Sequence, residues 1–272
     1  VDEAITTATG TGGGITLSGS VDVNAALTAE GGSITLNGAG SGALDLTLDA
    51  DLTSSLSMDL TAPRDIIVGG TASATLTTAG PGADITLTAD AESTPDGIGG
   101  VQIATLGAIN SDGGVTLTGS DLFITGGTLD SVEIASDGSN IQVQGGSSIL
   151  IEDGANAPAN AQTIVNGVVD GGWLITITAE DDVLLGADGD ITGLASTVTL
   201  SAGTGEIVMA DGAIINAGSG TIDLDANGNI TIGGLETTSE VQATSATGAI
   251  LDGGNADIDI NAGLAALRAV NG

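Results

Sequence analysis

The chain of 272 residues contains 46 Gly, one Phe, one Trp, no Tyr and no Cys, which excludes an aromatic-centred core, disulfides and thiolate metal sites. Its 35 Asp and Glu stand against two Arg, with no Lys and no His, and the net charge of −33 makes nucleic acid and anionic membranes poor partners. Yet 41% of the residues are apolar and the mean hydropathy is +0.37, too apolar for a disordered Gly-rich linker, so Ile, Leu and Val are buried in something regular.

In chain order, short runs of alternating apolar and polar residues bounded by Gly, Asn, Asp or Ser predict strands. Gly-Gly-x-Ile-Thr-Leu stands intact at Gly12–Leu17 and Gly31–Leu36 and degenerate at Gly82–Leu87 and Gly113–Leu117. Further strands are predicted over Leu44–Leu48, Ile141–Val143, Ile149–Ile151, Leu174–Ile177, Val198–Leu200, Ile207–Met209, Ile222–Leu224, Ile230–Ile232 and Ile258–Ile260. Only Gly263–Val270 has the composition of a short helix. Repetition of one small unit points to a solenoid in which aliphatic side chains stack in rows. Strand starts in the last third step by seven to nine residues, and three steps make a coil of roughly 20 to 25 residues.

The expected architecture is therefore all-β, a parallel β-helix of roughly 11 to 14 coils, and the handedness of parallel crossovers favours right-handed winding. Residues 1–272 read as one solenoid domain, with irregular insertions near 91–100, around Pro95, and near 152–172, around Pro158. Asp-Gly and Asn-Gly pairs mark the turns, and an antiparallel sandwich joined by hairpins is the competing reading. No apolar run reaches the roughly 18 to 20 residues of a membrane helix. The start at Val1, without a charged-then-apolar leader, reads as a processed protein or a piece of a longer one.

Gly220–Ile232 and Thr247–Gly254 resemble repeats of large bacterial exoproteins of the filamentous-haemagglutinin-like class, and the likeness extends over almost the whole chain. That resemblance implies a right-handed parallel β-helix, secreted or displayed on a bacterial cell surface, serving as an adhesin stalk or matrix component. Partners would then be copies of the chain itself, stacked end to end through uncapped coils, or surface glycans and proteins of a host or neighbouring cell.

Candidate sites are few. Asp188 and Asp190, with Glu180–Asp182, could ligate Ca²⁺, which takes six to eight oxygens, although acidic turn residues facing solvent are the simpler reading. The calcium nonapeptide is not reproduced at Gly253–Ile258. Thr-x-Thr pairs occur at Thr75/Thr77, Thr86/Thr88, Thr116/Thr118, Thr176/Thr178 and Thr197/Thr199. Separations of 11, 30, 60 and 21 residues between successive pairs do not give one pair per coil, so the continuous flat threonine ladder of an ice-binding solenoid is not expected. Trp173 would stack on a ligand or pack beneath the Pro158 loop. Asn229-Ile230-Thr231 fits a glycosylation sequon by repeat coincidence. A polysaccharide-binding or polysaccharide-degrading β-helix is the alternative function; no catalytic residues are assigned, because a lyase would lack His, Lys and Tyr and sugar subsites would have only Phe123 and Trp173.

Overall fold

The computed structural model describes residues 1, 5–7, 13–19, 21–38, 45–89, 91, 100–104, 106–111, 113–119, 132–134, 142–145, 148–153, 162–254 and 258–270. Its strands form three parallel sheets of 11, 11 and 10 strands, and every third strand along the chain joins the same sheet. Leu27–Ala29 lies in the first sheet, Ile34–Asn37 in the second, Leu46–Leu48 in the third, and Leu52–Ser54 returns to the first. The chain is thus a parallel β-solenoid; the pairs Asp188-Gly189 and Asp211-Gly212 turn corners, and the hairpin sandwich is excluded.

Alternation along each short strand produces the core. Leu36 pairs in register with Leu60, Leu60 with Leu87, Leu87 with Leu117, and each of these side chains is fully buried. Burying one such aliphatic side chain contributes about 1.5–3 kcal/mol, and the absence of rings is no handicap because flat rows of branched side chains interdigitate from three sides. Where an inward position nears a corner it is often a hydroxyl, and that hydroxyl meets the corner's carbonyls. Ser54 Oγ donates to Gly32 O at 2.7 Å, Ser111 Oγ to Ala83 O at 2.8 Å and Ser196 Oγ to Gly171 O at 2.7 Å. These buried polar groups are satisfied, so each costs little.

Several expectations are corrected. Coils are uneven: hydrogen-bonded partners in adjacent coils stand 19 residues apart at Arg64/Asp45, 24 at Ser33/Ser57, 33 at Thr78/Ser111 and 35 at Asp65/Gly100. Longer coils use up chain, so the described strands make fewer complete coils than the roughly 11 to 14 expected from coils of about 20 to 25 residues. Gly263–Val270, read as the one helical stretch, instead holds the strand Leu264–Ala269, since pairing with Glu240–Ser245 outweighs the helix preference of Ala and Leu. Thr163–Val165 and Val168–Gly171 are strands, which shortens the irregular stretch assigned to 152–172; Pro158 and Pro95 lie outside the described residues.

Close coil contact explains some of the glycines. Gly218 has φ 59°, and a Cβ there would lie 2.1 Å from Leu194 O. Only Gly permits both that backbone conformation and that approach.

Candidate functional site

Many of the acidic side chains are clips between coils. An Asp placed directly before the first inward aliphatic residue of a strand accepts a backbone N–H from the coil above. Asp51 Oδ1 accepts from Thr75 at 2.9 Å, Asp84 Oδ1 from Gly114 at 2.7 Å, Asp182 Oδ1 from Glu206 at 2.8 Å and Asp190 Oδ1 from Ile214 at 3.0 Å. Asn229 Oδ1 repeats the clip on Ala249 N at 2.9 Å. Corner backbone that leaves the sheet ladder would otherwise carry unpaired donors, and a carboxylate acceptor strengthens each bond. Asp49 belongs to the same economy of donors: burial works against its charged form, but hydrogen bonds from Thr71 and Ala72 prevail and lower its pKa.

Sequence reading missed this role, although Asp-Leu, Asp-Ile and Asp-Val at strand starts carry its signal. The role also changes the proposed cation ligands. Asp188 is exposed, while Asp190 is half-buried with Oδ1 engaged by the Ile214 N–H. Among the described residues no three Asp or Glu side chains are grouped closely enough to hold one metal ion. At Glu180–Asp182, burial and then the neighbouring Asp182 carboxylate raise the Asp181 pKa; burial and then Asp225 do the same to Asp223.

The one ion-pair cluster among the described residues occupies a corner of the third sheet. Arg64 Nε and Nη2 grip Asp45 Oδ1 and Oδ2 at 2.7 and 2.5 Å, and the Arg64 pKa rises chiefly through that hydrogen-bonded pair. Asp65 is 3% exposed; its Oδ1 accepts from Gly100 N at 3.0 Å, while Oδ2 lies 3.0 Å from Arg64 Nε without a hydrogen bond of its own. Burial, reinforced by the Asp45 charge, pushes the Asp65 carboxyl up to about 6. This is a partly satisfied buried carboxylate, the arrangement most sensitive to pH in the described structure.

Two apolar surfaces remain. Trp173 is 71% exposed, not packed, and shares a corner of the first and second sheets with Leu174 and with Leu194, 88% exposed on the adjoining coil. The last coil is the second surface. Leu267 pairs in register with the fully buried Ala243, yet is 50% exposed, and Leu264 is 58% exposed. Leu264–Ala269 pairs on one side only. Beside it, Ile214, Glu236, Ile258 and Asn261 line a groove of about 490 Å³.

Comparison of the chain with protein-family models, curated proteins and solved structures finds no match.

Proposed function

We propose that this chain is a structural or adhesive section of a secreted or cell-surface bacterial protein, built as a right-handed β-helix in the manner of the filamentous-haemagglutinin-like exoproteins. Its working mode is axial stacking, and it is a scaffold, not an enzyme. The observation that carries this reading is the parallel stack itself: every third strand joins the same sheet, and aliphatic rows run buried along the axis from coil to coil. A stack of this kind is extended by further parallel coils along its axis, from the same polypeptide or from another copy of the chain. Right-handed winding rests on the general preference of parallel crossovers, and an extracellular setting on the exoprotein-like repeats.

Electron microscopy of the purified chain at rising concentration tests the copy-to-copy form. Fibres with an axial repeat near one chain length are expected, and Leu267→Asp should shorten or abolish them. Discrete rods of one length at every concentration would confine stacking to neighbouring polypeptide.

A second reading, polysaccharide binding, is favoured by the exposure of Trp173 beside Leu194. Because Trp173 is the sole Trp, its fluorescence reports that corner without interference. Titration with neutral polysaccharides should shift the emission, and no shift with any of them removes this reading.

A further inference from the structure

The corner that leads into the third sheet carries a column of polar side chains. Asp45 and Asp65 stand directly before Leu46 and Ile66, and Gly100 before Val101; these three strand starts pair in register. Further along, Gln162, Asp182, Glu206 and Asn229 hold the same place before Thr163, Val183, Ile207 and Ile230. Donors and acceptors have to balance along such a column, because an ionised carboxylate only accepts.

In the later part of the column they balance. Asp182 Oδ1 accepts the Glu206 N–H at 2.8 Å, and Oδ2 accepts from Gln162 Nε2 at 2.7 Å. Glu206 Oε1 accepts from Asn229 Nδ2 at 2.8 Å. Two carboxylates in successive coils are thus bracketed by two amides, and both are half-buried, with solvent at their edge.

At Asp45 and Asp65 the amides are missing. Among the described residues, Asp45 and Arg64 are the charged groups that face Asp65, and the coil above offers only the Gly100 N–H, at 3.0 Å from Oδ1. Arg64 gives its Nε–H to Asp45 Oδ1 at 2.7 Å and Nη2 to Asp45 Oδ2 at 2.5 Å. Asp65 Oδ2, 3.0 Å from that Nε, is left buried without a hydrogen bond. Two carboxylates against one guanidinium leave one negative charge in the corner, and the column is one donor short. A single proton meets both needs: it cancels the charge, and as Oδ2–H it donates to the Asp45 carboxylate. Burial, with the Asp45 charge beside it, holds the Asp65 carboxyl at about 6, so the proton is taken up in mildly acid solution.

We propose that Asp45 and Asp65 form a proton-operated latch between coils: with one proton held between the two carboxylates the corner is closed, and without it the corner opens locally to water. The latch concerns one corner of a single molecule and does not depend on axial assembly or on glycan binding. Amide hydrogen exchange of the full chain reads it. The latch amides are Gly100 N–H, held by Asp65, and Ile66 N–H, held by Gly100 O; Glu206 and Ala249 N–H, held by Asp182 and Asn229, are the controls. Protection factors remove the intrinsic pH dependence of exchange. With the Asp65 carboxyl at about 6 in the closed corner and at its ordinary 3.8 in the open one, protection of the latch amides is expected to fall about tenfold from about pH 5 to about pH 7.5, and that of the controls less than about twofold. Asp65→Asn brings an amide donor to the Oδ2 position, as Gln162 and Asn229 do elsewhere in the column, and is expected to keep the latch closed at both pH values. Should that variant fail to fold by circular dichroism, Asp45→Asn, which leaves one carboxylate for one guanidinium, takes its place with the same expectation. An equal fall at the controls would trace the response to the −33 charge as a whole and overturn the proposal. So would an undiminished fall in the folded Asn variant, protection of the latch amides that does not change with pH, or no protection at Gly100 at the lower pH.

Discussion

Leu224 and Leu267 occupy the same inward row of the second sheet, three strands from first to last, and their environments are opposite. Leu224 is fully buried, with Leu200 on one side and Ala243 on the other, whereas Leu267 has Ala243 on one side alone and is 50% exposed. Strand, sheet and inward direction are shared, so what separates them is the presence of a coil on the far side. In this architecture burial is granted by neighbours, and a coil by itself is not a stable object.

The largest expected effect follows from that contrast. Leu224→Ala should cost about 2–5 kcal/mol in urea unfolding, while Leu267→Ala should cost under about 1 kcal/mol because little surface is lost from contact. Equal losses would mean that the last coil is covered in solution.

Next in size is the pH dependence at the Arg64 corner. Asp65 titrates at about 6 in the fold against 3.8 for the ordinary side chain, so between these values the folded state binds the extra proton. Stability from this group therefore rises as pH falls through 6 and levels off below about 4, by up to about 3 kcal/mol. Asp65→Asn keeps an acceptor for the Gly100 N–H and should flatten the melting-temperature profile over that window while raising stability at pH 8. An unchanged profile would place the pH response in the general acidic charge instead.

A smaller effect is expected at the corners. Gly218→Ala must resolve a 2.1 Å approach to Leu194 O as well as an unfavourable φ, whereas Gly254 has φ 103° with open space around its Cβ direction. Chemical denaturation should show Gly254→Ala losing about 1 kcal/mol and Gly218→Ala clearly more. Smallest is salt: raising NaCl from low to physiological strength should lift the melting temperature by screening the −33 charge. If CaCl₂ at matched ionic strength does no better, the acidic corners bind no specific cation.

Much of the fold was legible because period-two alternation and bounding glycines are local signals; Ile34–Asn37 and Ile222–Ala226 carry both. Strands such as Leu52–Ser54 and Gly107–Ser111 were missed because their inward ends are polar, and those hydroxyls make sense only once the corner carbonyls they meet are known. Register between coils has no local signal at all. It hid the Asp45–Arg64–Asp65 cluster and the exposure of Trp173. The inter-coil Asp clips lay between these extremes: the dipeptides were visible, but their partners stand a coil away.

The unequal coils have a consequence for how such a chain can change. Ile66 N–H reaches Gly100 O at 2.9 Å in a coil where Asp65 and Gly100 stand 35 residues apart, and Leu46 and Ile66 keep the same register across a far shorter one. Coils of unequal length thus leave the axial stack in step. Corners of such a solenoid are splice points, at which a foreign peptide could be carried outward on a rigid rod without renegotiating any of the rows inside it.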